Sequence, residues 1–163
     1  MSDWIVNASP LILLGKINQL SLLEELAPSF LIPNAVALEI LAGPSQDPAK
    51  IWIRNHHITQ RIVSEIPIPP PILAWDLGAG ETAVIALALH RSSGICVIDD
   101  LAARNCAETF SLPLLGTLGV LLKAKTAGLI PELKPEIDHL LRVGSLLSAS
   151  IIQLAMKLAG ERP

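Results

Sequence analysis

The chain alternates short apolar runs with longer stretches in which apolar residues return every three or four positions, the rhythm of strands followed by helices. Trp4-Ile5-Val6 reads as a short buried strand, and Ser9-Pro10 supplies a cap and an early proline for a helix over residues 11–15. Residues 20–26 predict a second short helix and Phe30-Leu31-Ile32 a second strand. Pro33-Asn34 opens a helix over 35–42 that stops at Gly43-Pro44, and Asp47-Pro48 repeats the cap-and-proline signal before a helix to about residue 55. Residues 57–63 fit an edge strand, and the prolines between 66 and 71 require a loop. A helix over 80–91, a strand over 95–98 and a helix over 101–110 capped by Asp100 follow, then a strand at 112–115 and a helix over 118–127. Two more helices are predicted near 135–143 and 148–159. Strands alternating with helices predict an α/β fold, a central parallel sheet with helices on both faces. With 163 residues and no repeat or linker, the expectation is a single domain over 1–163.

Composition sharpens this picture. Hydrophobic residues make up 51% of the chain and aromatics only 3%, so the core must be built from Leu, Ile, Val and Ala. A mean hydropathy of +0.53 raises the question of a membrane. No apolar run approaches the roughly 20 residues a spanning helix needs. The nearest, residues 112–122, is interrupted by Pro113, Gly116 and Gly119, and the N-terminus lacks the basic flank and apolar run of a signal peptide. A cytoplasmic protein without membrane contact is expected, with the surplus apolar surface covered in a homo-oligomer. Cys96 and Cys106 are too few for a disulfide framework or a thiolate metal site. The net charge of -3 offers no broad basic face.

The charges that do occur are oddly placed. Glu39 is the only charged residue in Val36-Ala37-Leu38-Glu39-Ile40-Leu41-Ala42, and Glu81 the only one between Asp76 and His90. A helix apolar all round is normally buried, and a buried carboxylate needs a partner. Asp99 and Asp100 follow directly on a predicted strand and so emerge at its C-terminal edge, where open α/β sheets bind ligands; Asn7 ends the first strand in the same way. Oxygen donors converging on one apolar edge suit Mg²⁺ or Mn²⁺. Taken singly, Asp100 also reads as a helix cap, Glu81 as a first-turn acid, and Glu39 as half of an ion pair.

Four segments in order, Val6-Asn7-Ala8-Ser9-Pro10-Leu11-Ile12, Ile32-Pro33 through Glu39, Gly80-Glu81-Thr82-Ala83-Val84-Ile85-Ala86, and Val97-Ile98-Asp99-Asp100, resemble the motifs of the PIN-domain family of metal-dependent ribonucleases. That family includes many toxins of bacterial toxin and antitoxin pairs. Asp99 through Arg104, followed by Leu115 through Leu121, is similar to a bacterial and archaeal branch of it. The resemblance implies a three-layer PIN-like sandwich that hydrolyses RNA phosphodiesters with Mg²⁺ or Mn²⁺. It implies Glu39, Glu81 and Asp100 as metal ligands, directly or through water, Asp99 as an extra acid and Asn7 orienting water. A small antitoxin protein and a homodimer are the implied partners. Active members carry Asp where this chain has Asn7, which removes one negative charge. A PIN-like module that binds RNA or protein without cutting is the alternative this leaves open.

For RNA, the chain offers Lys50, Arg54, His56, His57 and Arg61 in one stretch and Lys123 with Lys125 in another, which read equally as solvated surface. Thr117 either supports the site by hydrogen bonding or caps the helix after it. A rival reading starts from Trp75-Asp76-Leu77-Gly78-Ala79-Gly80, which looks like the glycine motif of S-adenosylmethionine methyltransferases, with Asp99 at a credible distance for the ribose. It requires residues 72–75 to form a strand, directly after three prolines.

Overall fold

The computed structural model describes residues 2–92 and 94–163. Strands β1 (Trp4–Val6), β2 (Phe30–Pro33), β3 (Ile62–Val63), β4 (Ile95–Val97) and β5 (Leu114–Leu115) form one sheet in the order β3-β2-β1-β4-β5. Every pairing is parallel, so the fold is the predicted α/β sandwich. All three residues of β1 are buried. Side chains alternate between the faces of a strand, so this central strand must be covered on both sides.

The cover is helical: α1 (Ala8–Lys16), α2 (Ser21–Leu26), α3 (Asn34–Leu41), α4 (Pro48–Ile53), α5 (His56–Thr59), α6 (Pro70–Leu73), α7 (Ala79–His90), α8 (Leu101–Thr109), α9 (Thr117–Thr126), α10 (Lys134–Arg142) and α11 (Ala149–Leu158). Helix α7 lies across β2, β1 and β4 and packs against α3, α6 and α8, which explains its unbroken buried run Val84-Ile85-Ala86-Leu87-Ala88. Helix α1 packs against α3, α4 and α9, and α9 also receives α2 and α11. The buried residues between these layers are overwhelmingly aliphatic, as composition requires. Among the described residues, no helix is long and apolar enough to cross a membrane.

The strand order fixes where a ligand can sit. The chain steps from β1 outward through β2 to β3, then returns to place β4 and β5 on the other side of β1. The direction of winding therefore reverses between β1 and β4, which opens a crevice at their C-terminal ends. Asn7 stands at that point, its N–H donating to the Val97 carbonyl at 3.0 Å.

Two elements differ from expectation for local reasons. Residues 57–63 do not form one edge strand, because α5 turns the chain at His56–Thr59 and leaves only Ile62–Val63 to pair with β2. The turn is closed by the amides of Ile58 and Thr59 on the Asn55 carbonyl, both at 2.9 Å, and it buries Ile58. The proline tract is a loop only as far as Pro69. Pro70 opens α6 at a first-turn position, where a missing N–H leaves no hydrogen bond unmade.

Candidate active site

Helix α1 begins one residue before its predicted cap, so that Asn7 rather than Ser9 occupies the N-cap position. The Asn7 side chain nevertheless makes no capping hydrogen bond. It turns into the protein, where it is 1% exposed, and Nδ2 donates to Glu81 Oε1 at 3.2 Å. Its other end is unsatisfied: Oδ1 is buried without a hydrogen-bond partner. Leaving a buried acceptor unpaired costs about 1–3 kcal/mol. An orphan of this kind at a sheet's ligand edge points to a donor or cation supplied from outside.

The space in front of that oxygen exists because residue 80 is glycine. A Cβ there would lie 3.0 Å from Asn7 Oδ1 and 2.9 Å from Glu39 Oε2, so both oxygens approach the volume a side chain would fill. The next residue, Glu81, stands in the first turn of α7, near the positive end of the helix dipole. Three segments distant in sequence thus bring an amide oxygen and two carboxylates around Gly80.

Glu39 reaches this place differently from the sequence expectation. Its helix is not buried all round: α3 buries Val36, Ala37 and Ile40 and leaves Leu38 and Glu39 exposed. The helix packs with one side against α7 and α1 and has solvent on the other, so lack of charge in its sequence did not mean full burial. The carboxylate head still meets Gly80. Desolvation there, and then the charge of Glu81 beside it, push the Glu39 carboxyl above the ordinary carboxylate range.

The two aspartates after β4 have partners of their own. Asp99 Oδ1 accepts from the Thr117 N–H at 2.8 Å and Oδ2 from the Thr117 hydroxyl at 2.6 Å. Thr117 is buried, and it is the first residue of α9 rather than its cap. Asp100 caps α8, its Oδ2 accepting from the Ala103 N–H at 2.9 Å. Glu81, Asp99 and Asp100 line a groove of about 900 Å³, walled on its far side by Leu154 and Leu158 of α11. Among the described residues, no three His, Cys, Asp or Glu side chains cluster closely enough to form a complete protein ligand set. The donors at Gly80 are nonetheless hard oxygens, and Mg²⁺ is commonly held by one or two carboxylates while keeping several waters. Asn7 Oδ1, Glu39 and Glu81 fit that requirement.

The predicted basic residues lie elsewhere. The Arg61 guanidinium stacks 4.1 Å above the Phe30 ring, which itself stacks on Trp52. Phe30 begins β2 and Arg61 precedes β3, so this stack sits at the N-terminal edge of the sheet, opposite the carboxylates. Lys50 Nζ donates to the Gly43 carbonyl at 2.9 Å, Arg54 is exposed just after α4, and Lys125 pairs with Glu161 at 3.6 Å. His57 lies 3.6 Å from Glu24, while His56 contacts Gln60, so the adjacent histidines do not converge. The methyltransferase reading loses its support, because α6 occupies Pro70–Leu73 where a strand was required.

Sequence reasoning missed Arg104, the only basic residue among the described ones that line the acidic groove. Its position four residues after Asp100 on the same helix was the available signal, since residues i and i+4 share a helix face. The sequence profile of a family described as a PIN domain matches residues 3–161. No curated protein sequence matches the chain significantly.

Proposed function

The chain belongs to the PIN-domain family, and on that premise we propose that it is an endoribonuclease that hydrolyses RNA phosphodiesters with Mg²⁺ or Mn²⁺ as its cofactor. The observation that carries this reading is the orphaned Asn7 Oδ1, buried and turned toward the same space as the Glu39 carboxylate. Glu39, Glu81 and Asn7 Oδ1 would hold the ion. When bound, it supplies a water of lowered pKa and neutralises charge on the scissile phosphate. Asn7 Nδ2 fixes the orientation of Glu81 through their 3.2 Å hydrogen bond. Asp100, with one oxygen engaged in capping α8, would contribute to holding the ion, through water, with the other. Asp99 is held in place by Thr117 and adds negative charge to the groove.

A cytoplasmic toxin of a toxin and antitoxin pair is the biological setting this reading favours, in a homodimer and with a small antitoxin protein as partner. The support is a surface of the kind that association covers: Ile151, Leu154 and Leu158 on α11 and the nearly fully exposed Leu146 beside the groove. One observation favours a second reading. Asn7 stands where active relatives in this resemblance carry Asp, which fits a module that binds RNA without cutting it.

The deciding experiment incubates labelled single-stranded RNA with the protein in Mn²⁺ or in EDTA. Cleavage that requires Mn²⁺ and disappears in Glu81→Gln is the expected result. Cleavage that survives EDTA or the Glu81→Gln change would sink the metal-dependent mechanism, and intact RNA in every condition would leave the binding module standing.

A further inference from the structure

Among the described residues, three acids share the groove at the C-terminal edge of the sheet, and one cation, Arg104, lines it with them. Opposite charges at such distances ordinarily pair, yet among the described residues Arg104 has no ion-pair partner. It is held instead by a neutral group: Nη1 donates to the Ile98 carbonyl at 2.8 Å, at the end of β4 just before Asp99. The backbone makes room for this arrangement. A Cβ on Gly116 would lie 3.3 Å from Arg104 Nη1 and 3.1 Å from Asp99 Oδ1, so a side chain at 116 would press on both groups. Tethering Nη1 to a carbonyl leaves the rest of the guanidinium fork without a hydrogen-bond acceptor among the described residues, with the Asp99 carboxylate near it but not paired with it.

We propose that Arg104 is a phosphate-anchoring residue, whose free guanidinium edge receives a backbone phosphate of the RNA strand lying in the groove. The inference rests on the RNA reading above and deepens it. A polyanion entering a groove with Glu81, Asp99 and Asp100 on its walls meets net repulsion unless cations answer it, and among the described residues Arg104 is the only side chain there that does so. The planar fork matches two phosphate oxygens at once, which a lysine ammonium cannot do. Because Nη1 is already fixed by Ile98, little side-chain freedom is lost when the phosphate binds.

The test measures RNA binding apart from cleavage. Fluorescence anisotropy of a labelled single-stranded RNA is followed in Ca²⁺ across a salt series, with the RNA verified intact afterwards, for wild type, Arg104→Met and Arg104→Lys. Arg104→Met is expected to bind about tenfold more weakly and to flatten the slope of log affinity against log salt by about 0.7, the contribution of one phosphate on a single strand. Arg104→Lys should retain the slope and lose several-fold in affinity, since the charge remains and the fork does not. The rise in melting temperature produced by Mn²⁺ should be unchanged in both, because Arg104 is not a ligand. Equal affinity and slope in wild type and Arg104→Met would overturn the proposal and reduce Arg104 to a strut beneath Ile98. If Arg104→Met does not fold, Arg104→Gln, which keeps a side-chain donor for the Ile98 carbonyl, carries the same outcomes; failure of both to fold also makes the residue a strut. Absence of RNA binding by the wild type overturns the RNA reading itself, a result distinct from loss of the Arg104 effect alone.

Discussion

Replacing Asn7 by Asp changes one atom of the side chain and tests the centre of the site. The variant loses the Nδ2 donor that holds Glu81 at 3.2 Å and sets a carboxylate oxygen in its place. Two unit charges at that distance repel by about 5 kcal/mol at an effective dielectric of ~20. The pair can avoid this by retaining a proton, which at pH 7 costs about 4 kcal/mol for a carboxyl that otherwise titrates near 4, at about 1.4 kcal/mol per pH unit. The cheaper route sets the ceiling, and partial relaxation toward solvent lowers it further. A loss of roughly 2–4 kcal/mol is therefore expected for the metal-free protein, which for a chain of this size is a fall in Tm of roughly 5–15 °C. A divalent cation reverses the sign, because the added charge that destabilises the empty site attracts the ion. Scanning fluorimetry in EDTA and in Mn²⁺ reads both halves. Asn7→Asp should melt lower than wild type in EDTA and gain more from Mn²⁺ than wild type gains. An EDTA melting temperature equal to or above wild type would show that the Asn7–Glu81 hydrogen bond does not hold the site. A Mn²⁺ gain no larger than wild type would show that the orphaned oxygen does not face a cation.

Two further outcomes follow from single contacts. Gly80→Ala should still fold, since the flexible end of Glu39 can move away, the Asn7 amide 3.0 Å from the new Cβ has to give only slightly, and alanine favours the helix by up to about 1 kcal/mol; its Mn²⁺-induced stabilisation and its RNA cleavage should be lost, and retention of both would show that the space at residue 80 is not where the metal sits. Glu161 closes the C-terminal segment onto the start of α10, its oxygens accepting from the Leu133 and Lys134 amides at 2.6 and 3.1 Å. Burial pushes its carboxyl up, but these amides and Lys125 outweigh that and hold it below the ordinary range. A carboxylate with a lowered folded-state pKa stabilises above its unfolded pKa, near 4.3, and that contribution disappears as pH falls through the folded value. Urea midpoints of wild type and Glu161→Gln should therefore differ at pH 7, by a cap-like amount of about 1 kcal/mol, and converge near pH 3; a constant difference across that range would contradict the assignment.

The elements that build the site were legible because their signals are local. Trp4-Ile5-Val6 and Ile95-Cys96-Val97 are apolar runs too short for helices, and Asp100 and Asp47 sit where caps sit, with side chains accepting from Ala103 and Ala49. The conspicuous carboxylates were legible for the same reason, since a lone charge in an apolar segment needs an explanation. What the sequence hid depends on neighbours far along the chain. Whether α3 is covered on one side or all round is decided by α7 and α1, and that decides the exposure of Glu39. Whether Asn7 caps its own helix or turns inward is decided by Glu81, 74 residues away. Arg104 gains meaning only once β4, α8 and Gly116 come together, and no single one of those segments announces it.

The partners of the acids bear on what kind of enzyme this could be. Asp99 is bound by Thr117, Asp100 by the start of α8, and Glu81 by Asn7, so three of the four site acids are satisfied by the protein itself. Among the described residues Glu39 has no such partner, and desolvation first, then the charge of Glu81, raise its pKa. A site with Asp at position 7 would add a second repulsive pair and would draw part of its stability from the cation. With asparagine, the empty site is compatible with a stable chain, and the same substitution removes one of the charges that draw the ion in. Occupancy, and with it any hydrolysis, should then follow the free concentration of divalent metal rather than be saturated at all times. On the proposed reading, titrating Mn²⁺ against RNA cleavage in wild type and Asn7→Asp should give a leftward shift of the activity curve in the variant.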